Sequence, residues 1–352
     1  MEILIEGRPV GPEHSPFIVA ELSGNHNQSL VRAKQLIDLA VAAGVDAIKL
    51  QTYTADTMTL DCDFGEFAVT DPNNLWHGYT LHKLYDEAHT PWEWHAELFE
   101  YIRSKNCIPF SSPFDAAAVD FLEELDCPAY KIASFELTDL PLIQKVASVG
   151  KPVIISTGMG SQQEVLDAVE CCRKAGNKQI VLLKCTSTYP ADPKNTNLNT
   201  MDALRKMSNC MVGLSDHTIG IGVAVASVAL GAMVIEKHLT IDREDGGVDS
   251  TFSMEPDEFK QLVFEVRQAK QAMGSVVFGG TQDEQKSKQY RRSIYVKKTV
   301  QAGDVFSEDN LAIVRPGFGL SPKHWDEVVG KVSTRALEKG HPLTLEDVDS
   351  SQ

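Results

Sequence analysis

Eight short apolar runs recur between residues 17 and 238, and each ends in polar or charged side chains before a stretch of helical periodicity. Strands that alternate with helices predict right-handed crossovers and a parallel sheet. Eight such units predict a closed (β/α)8 TIM barrel. A doubly wound open sheet is the alternative, and it is disfavoured because no glycine-rich dinucleotide turn follows the first run. The runs are FIVAE (17–21), DAIKLQ (46–51), CIPFSS (107–112), AYKIAS (129–134), PVIIST (152–157), IVLLKCTS (180–187), MVGLSDH (211–217) and VIEKH (234–238).

The pattern divides the chain into a barrel over residues 1–274, a linker and a smaller domain. Residues 275–289 are rich in glycine and polar residues, which indicates the linker. Residues 290–352 contain two matching segments, 300–311 and 337–348, and each reads as a strand, a glycine turn, an apolar anchor and a short capped helical turn. The smaller domain is therefore predicted to be mostly β and internally twofold. About sixty residues supply only a marginal core, so we expect this domain to pack against a neighbour.

Composition and charge narrow the class of protein. The 352 residues are 43% hydrophobic and 23% charged, as in soluble globular proteins. A formal net charge of −16 argues against nucleic acid as a partner, because phosphate backbones are bound mainly by clustered Lys and Arg. No apolar run approaches the roughly 20 residues of a membrane span, and the first residues lack the features of a secretory signal. We therefore expect a cytoplasmic protein without a membrane partner, whose seven cysteines are reduced thiols.

The carboxyl ends of barrel strands meet at one mouth, where the active site of such a barrel lies. Several Lys and Ser donors in a dry pocket suit a phosphate, which offers several acceptor oxygens and about two negative charges. The alternative is that the lysines reach solvent and the serines cap the following helices. The joint set, beside the glycine-containing turn STGMG (156–160), favours the phosphate. The predicted mouth holds Glu21, Lys49, Gln51, Ser111, Ser112, Lys131, Ser134, Glu136, Ser156, Thr157, Lys184, Thr186, Ser187, Asp216, His217 and His238.

Two histidines end strands that are neighbours in the predicted barrel. His217 ends the seventh run and His238 the eighth, so both could meet one metal ion, with the remaining positions taken by water and substrate. A buried, hydrogen-bonded histidine pair is the alternative, and spacing alone does not separate the two. Asp216 and Glu236 are predicted to orient the imidazoles.

Nine motifs bear on the family. They are AELSGNHNQSL, IKLQTYT, SSPFD, KIASFE, STGM, KCTSTYP, GLSDH, EKH and RPGFGLSP. Together they resemble the sialic acid synthase family, and most closely its pseudaminic acid branch, over essentially the whole chain. The resemblance implies a TIM barrel followed by a small, mostly β, antifreeze-like (SAF) domain. It also implies a transferase that condenses phosphoenolpyruvate with the open-chain aldehyde of an amino sugar, giving a nine-carbon 2-keto acid and phosphate.

The resemblance implies roles for individual residues as well. Phosphoenolpyruvate would be held by Lys49, Ser112, Lys131, Ser134, Ser156, Ser187 and Ser215. The sugar or its aldehyde would contact Glu21, Gln51, Tyr189, Asp249 and Arg315 of the partner subunit, in a homodimer that exchanges its SAF domains. His217 and His238 would bind a divalent metal such as Mn, Mg or Co. Lys49 would act in catalysis with Glu21 or Glu136 as the proton-transfer carboxylate, and the sequence does not separate these two.

Two departures from the family pattern bear on the sugar. Phe135 stands where sialic acid synthases commonly have glycine, and Ser250 stands where a histidine commonly follows the aspartate. Both favour a deoxy, diacetamido sugar such as 2,4-diacetamido-2,4,6-trideoxy-altrose over N-acetylmannosamine. N-acetylneuraminate or legionaminate synthesis is the alternative within the family. An alternative of another class is a non-catalytic polysaccharide- or ice-binding module, although the last domain lacks a long regular threonine array.

Overall fold

The computed structural model describes residues 2–72 and 74–349. The chain folds as two units, Met1–Gly274 and Ser275–Gln352, and each has its own cluster of buried apolar side chains. Among the described residues, none of the helices combines the length and apolar character that a membrane span requires. All seven cysteines are free thiols, as their spacing predicts.

Two short antiparallel strands precede the barrel, and the sequence analysis did not predict them. They are β1 (Ile3–Ile5) and β2 (Arg8–Val10), with Ile3 opposite Val10. Strands of three residues are too short for periodicity to identify. The side chains of Ile3, Ile5 and Val10 are buried in the same apolar cluster as the barrel, so the hairpin is part of the core of the first unit.

Eight parallel strands close into a barrel, which confirms the predicted fold class. They pair in chain order, and the last strand closes on the first with Val234 opposite Phe17 and His238 opposite Glu21. Because helices cover the outer face and side chains fill the inner one, the strands are continuous apolar runs rather than alternating ones. The strands are β3 (Phe17–Glu21), β4 (Ala47–Thr52), β5 (Ile108–Pro113), β6 (Tyr130–Ile132), β7 (Val153–Ser156), β8 (Ile180–Cys185), β9 (Met211–Ser215) and β10 (Val234–His238).

Helices follow every barrel strand, and their ends match local capping chemistry. In the first helix the Ser29 hydroxyl accepts a hydrogen bond from the Arg32 backbone N–H, and Gly44 ends the helix with φ of 87°. The helices of the first unit are α1 (Leu30–Ala43), α2 (Ala55–Met58), α3 (Leu81–Ala88), α4 (Trp92–Ser104), α5 (Ala116–Glu124), α6 (Leu140–Ser148), α7 (Gln162–Lys174), α8 (Thr200–Ser208), α9 (Gly222–Ala229) and α10 (Pro256–Met273).

The second unit is built around a small antiparallel sheet. Its strands are β11 (Ser293–Val296) and β12 (Leu311–Val314), and its short helices are α11 (Gln282–Gln285) and α12 (Trp325–Val328). Helix α11 lies inside the segment predicted as a linker. The rest of the unit is a mostly β fold, as expected for a SAF domain.

The two matching segments of the second unit adopt the same local structure. Gly303 and Gly340 both have φ of 91°, a left-handed conformation that favours glycine. Phe306 and Leu343, the predicted anchors, are both fully buried in the unit's core. The sequence repeat therefore corresponds to a structural repeat.

Candidate active site

A cavity of about 330 Å³ opens at the carboxyl ends of the barrel strands. This is the position where TIM barrels carry their active sites. Eleven of the predicted site residues line the cavity, and their individual roles stay predictions. They are Lys49, Gln51, Lys131, Ser134, Glu136, Ser156, Tyr189, Ser215, His217, His238 and Asp249.

The other four predicted site residues do not line the cavity directly. Glu21 and Ser112 adjoin it through Lys49, which forms an ion pair with Glu21 and donates a 3.3 Å hydrogen bond to Ser112. The Ser187 hydroxyl lies 3.8 Å from Sγ of Cys185, which does line it. Arg315 lies in the second unit and is exposed.

Strand alternation turns some predicted mouth residues away from the cavity. Ser111 shares a 2.6 Å hydrogen bond with Thr52, which also bonds His95 on α4. Ser111 therefore faces the helices while Ser112 faces Lys49. Lys184 donates to the backbone oxygen of Cys185 at 2.5 Å and does not line the cavity. The prediction that both residues belong to the mouth was wrong.

Charged side chains from opposite strands meet at the inner end of the cavity, which we call the polar floor. The Nζ atoms of Lys49 and Lys131 lie 3.4 Å and 3.6 Å from Oε1 of Glu236, and Ser215 donates a 3.2 Å hydrogen bond to the same oxygen. Burial lowers the pKa of Lys49 to about 8, so this group is still an ammonium at neutral pH. Burial raises the pKa of Glu236, but Lys131 and Lys49 outweigh burial and the pKa is lowered.

A second buried ion pair lies behind the polar floor. Nζ of Lys237 lies 2.8 Å from Oδ2 of Asp216 and donates a 2.7 Å hydrogen bond to the Thr218 backbone oxygen. Asp216 therefore binds Lys237 and not an imidazole, and Glu236 binds the two lysines of the floor. The prediction that Asp216 and Glu236 orient the imidazoles was wrong. Instead, the ion pair ties together the strand ends that carry the two histidines.

His217 and His238 lie side by side, with ring centroids 5.2 Å apart. Nδ1 of His217 is 3.0 Å from the Thr186 backbone oxygen, so it carries the proton and leaves Nε2 free. Nδ1 of His238 is buried with no hydrogen-bond partner in the described residues, and burial holds the pKa of this imidazole well below its usual value. Both rings can therefore offer a nitrogen lone pair to a metal ion.

These two imidazoles could fill only part of the coordination shell of a metal ion. Within residues 2–72 and 74–349, no group of three or more His, Cys, Asp or Glu side chains is placed to hold a metal ion. Two imidazoles would leave the remaining positions to water and substrate, as in catalytic rather than structural metal sites. The residues present fit a metal that is shared with a ligand.

Four buried side-chain atoms in the cavity have no hydrogen-bond partner among the described residues. Buried polar groups are almost always hydrogen-bonded, so several such atoms together indicate a ligand that supplies the missing partners. The atoms are Oε2 of Glu136, Oγ of Ser156, Oε2 of Glu236 and Nδ1 of His238.

Two carboxyl groups of the cavity titrate near neutral pH. Burial raises the pKa of Glu136 to about 7 and that of Asp249 to about 6. Asp249 accepts a hydrogen bond from the Ser23 hydroxyl, whereas Oε2 of Glu136 has no partner in residues 2–72 and 74–349. A carboxyl whose pKa lies near the operating pH is suited to proton transfer.

The residues on one side of the cavity were not predicted from the sequence. The segment 53–88, between β4 and α4, lines it with nine residues, most of them apolar or aromatic. The strand-end rule cannot find them, because they lie in a long connection, and the only signal was the long interval between the second and third apolar runs. The nine are Tyr53, Met58, Val69, Asn74, Trp76, Leu81, Leu84, Tyr85 and Ala88.

Comparison with known proteins agrees with this site. Residues 36–278 match the NeuB family and residues 291–349 match the SAF domain. The chain is 42% identical to the pseudaminic acid synthase of Campylobacter jejuni, over 94% of this chain and 96% of that protein. It is 37% identical to the N,N'-diacetyllegionaminic acid synthase of the same species, over 91% and 96%.

A solved structure agrees over the full length. The spore coat polysaccharide biosynthesis protein SpsE of Bacillus subtilis is 32% identical, with a TM-score of 0.67 over 100% of both chains. With the family match extending over most of the barrel and with relatives above 30% identity along nearly the whole chain, this protein belongs to the NeuB family and carries a C-terminal SAF domain.

Proposed function

We propose that the protein condenses phosphoenolpyruvate with 2,4-diacetamido-2,4,6-trideoxy-altrose and water to give pseudaminic acid and phosphate. The observation that carries the proposal is that the cavity holds both the two lysines of the polar floor and the histidine pair, beside buried polar atoms that have no hydrogen-bond partner among the described residues. The identity to pseudaminic acid synthases supports the choice of sugar, because it exceeds the identity to legionaminic acid synthases.

Phosphoenolpyruvate would bind on the polar floor. Lys49 and Lys131 supply ammonium donors, and charge-assisted hydrogen bonds to phosphate or carboxylate oxygens are the strong ones. Ser156 offers a buried hydroxyl with no other partner in the described residues. Glu236, which lies between the lysines, keeps them in place and compensates their charge while the site is free.

The histidine pair would hold a divalent metal ion. Such an ion, when bound, acts as a Lewis acid that polarises an aldehyde oxygen. Tyr189 packs on His217 with ring centroids 4.6 Å apart, and Phe252 packs on His238 at 5.0 Å. These aromatic rings restrict the imidazoles and exclude water from the neighbourhood of the reacting carbon.

Glu21 and Glu136 are the two candidates for proton transfer in this reaction. C3 of phosphoenolpyruvate bonds to the aldehyde carbon, and the aldehyde oxygen takes up a proton to become a hydroxyl. Water adds to C2 with loss of one proton, and the C–O bond to phosphate then breaks as the new C2 hydroxyl becomes the ketone and its proton leaves with the phosphate. The proton that leaves the attacking water needs an acceptor in the cavity. Glu21 is held by Lys49 and by the Ser23 backbone N–H at 2.9 Å. Glu136 has one oxygen that no described residue binds and a pKa of about 7, so we assign proton transfer to Glu136.

The proposal includes a homodimer that exchanges its SAF domains. Arg315 is exposed at the end of β12, and the family resemblance implies a contact between this guanidinium and the sugar bound by a partner subunit. A small domain that buries only a few apolar side chains gains stability from such an arrangement.

The proposed function is tested by phosphate release from phosphoenolpyruvate in the presence of Mn²⁺. We expect release with 2,4-diacetamido-2,4,6-trideoxy-altrose, and a product with the mass of the condensed nine-carbon acid. N-acetylmannosamine and the manno isomer of the diacetamido sugar serve as matched substrates. Release with either of these alone would assign the protein to neuraminate or legionaminate synthesis instead.

Gly158 is expected to leave room for two hydroxyl groups that bind phosphoenolpyruvate. A Cβ at this position would lie 2.2 Å from Oγ of Ser187 and 2.7 Å from Oγ of Ser134, so Gly158→Ala would push both hydroxyls aside. We expect the KM for phosphoenolpyruvate to rise about 10-fold, the effect of one weakened charge-assisted hydrogen bond. The control is Gly222→Ala, because a Cβ there meets nothing within 4 Å. Equal KM values in both variants would remove these serines from the site.

A further inference from the structure

The cavity has an apolar wall as well as a polar floor. We use this name for the cavity-lining side chains of Tyr53, Met58, Val69, Trp76, Leu81 and Tyr85. They come from one connection between β4 and α4, and nothing in the strand-end chemistry of the barrel requires them. An aromatic and aliphatic surface beside a strongly polar site indicates a ligand with an apolar part.

The apolar wall is fixed in place by contacts of its own. The indole N–H of Trp76 donates a 3.0 Å hydrogen bond to the Val248 backbone oxygen. The Tyr53 ring meets the rings of Tyr85 and Phe114 edge-on, with centroid distances of 5.9 Å and 5.2 Å. Such T-shaped pairs are favourable arrangements of aromatic rings. The wall is therefore a built surface with a defined shape.

The wall adjoins the part of the cavity assigned to the sugar. Tyr53 follows Gln51 by two residues, directly after the end of β4, and both line the cavity. Trp76 binds the backbone of Val248, the residue before Asp249. Gln51 and Asp249 are two of the residues expected to contact the sugar, and the wall begins beside both.

The polar side-chain atoms of the wall lie on its aromatic residues, namely the Trp76 indole N–H and the hydroxyls of Tyr53 and Tyr85. The Trp76 indole N–H is occupied by Val248, and the Asn74 side-chain oxygen accepts a 2.9 Å hydrogen bond from the Trp76 backbone. Val69, Leu81 and Met58 have no polar side-chain atoms suited to bind a hydroxyl. A sugar hydroxyl placed against these three side chains would lose its water and gain no partner, whereas a methyl group would gain by burial.

We infer that the apolar wall is a specificity subsite that receives methyl groups of the sugar, namely the C6 methyl of a 6-deoxy sugar and an acetamido methyl. The inference rests on the proposed function and extends it to the residues that select the sugar. An apolar pocket rejects an added hydroxyl by about 100-fold or less. The wild-type protein is therefore expected to use the 6-deoxy sugar with a kcat/KM about 10- to 100-fold above that of its 6-hydroxy counterpart.

Val69→Thr tests the subsite with a change of almost constant volume. The new hydroxyl can bind the hydroxyl of the 6-hydroxy sugar, so the ratio of the two kcat/KM values should fall by about 10-fold. Leu81→Gln, a second variant on the same wall, should lower the ratio in the same direction. The KM for phosphoenolpyruvate should stay at the wild-type value in both variants, since that substrate lies on the polar floor.

Val31→Thr is the matched control, because this valine lies on α1 with 69% of its surface exposed and should leave both sugars unaffected. Saturation-transfer NMR on the bound 6-deoxy sugar gives an independent readout, in which the methyl protons should receive the strongest signal from the wild-type protein. Phosphate release with an unchanged ratio in both wall variants would overturn the subsite alone. Absence of release with every sugar would overturn the proposed function, and the subsite with it.

Discussion

His238→Ala is expected to abolish binding of a divalent metal and to lower kcat/KM by at least about 1000-fold, because the ion supplies Lewis-acid stabilisation worth several kcal/mol. His238 offers a buried nitrogen with no other partner in the described residues, and His217 lies beside it. His217 and His238 are the two protein ligands that we propose for this site, so losing one leaves no chelating pair. Calorimetric titration with Mn²⁺ measures the binding, and phosphate release measures the rate.

His14→Ala is a suitable control, since His14 pairs with Glu2 on the surface of the first unit. Removing metal from the wild-type protein with a chelator should reproduce the His238→Ala rate, and adding Mn²⁺ back should restore the wild-type protein alone. Burial lowers the pKa of His217, but the neighbouring Cys185 outweighs burial and the pKa is raised. Metal binding should therefore weaken as the pH falls, because His217 must lose a proton to bind. A His238→Ala protein with wild-type affinity for Mn²⁺ would place the metal elsewhere.

The barrel could be predicted because its strands carry their own boundaries. FIVAE and VIEKH became β3 and β10 with the same end residues, since buried parallel strands are uninterrupted apolar runs that stop where the polar residues begin. The run AYKIAS gave a strand of only three residues, Tyr130–Ile132. Its last residues instead enter a 3-10 turn, Ser134–Glu136, and propensity alone does not distinguish a short strand from the turn that follows it.

The partners inside the site could not be predicted in the same way. Glu236 and His238 alternate with Lys237 along β10, so period two places both on the cavity side and Lys237 behind it. That step is available from the sequence. The sequence does not show which of these side chains pair with each other. Lys49 on β4 comes close to Glu236 only after the barrel closes β10 onto β3. The apolar wall was missed for a related reason: its residues lie in a connection whose path no periodicity specifies.

Glu136→Gln is expected to lower kcat by about 100-fold or more, the usual contribution of a positioned proton-transfer group, while making the folded protein more stable above pH 7. Burial raises the pKa of Glu136 from 4.5 to about 7. The folded protein therefore keeps this proton at pH values where the unfolded chain has lost it. The free energy of unfolding falls as the pH rises from about 4.5 to about 7 and then levels off. The difference amounts to at most about 3 kcal/mol, less wherever solvent reaches the carboxyl.

Glutamine keeps the shape of this side chain and removes the titration. The variant should match the wild-type protein in urea unfolding near pH 4.5 and exceed it at pH 8. Its residual activity should lack the part of the decline below pH 7 that protonation of Glu136 is expected to cause in the wild-type protein. Glu100→Gln, on the exposed side of α4, is the matched control for replacing a carboxylate. A Glu136→Gln protein that keeps the wild-type rate would return proton transfer to Glu21. A Glu136→Gln protein that is less stable than the wild-type protein at pH 8 would show that a partner group stabilises the ionised carboxylate and that burial does not destabilise it.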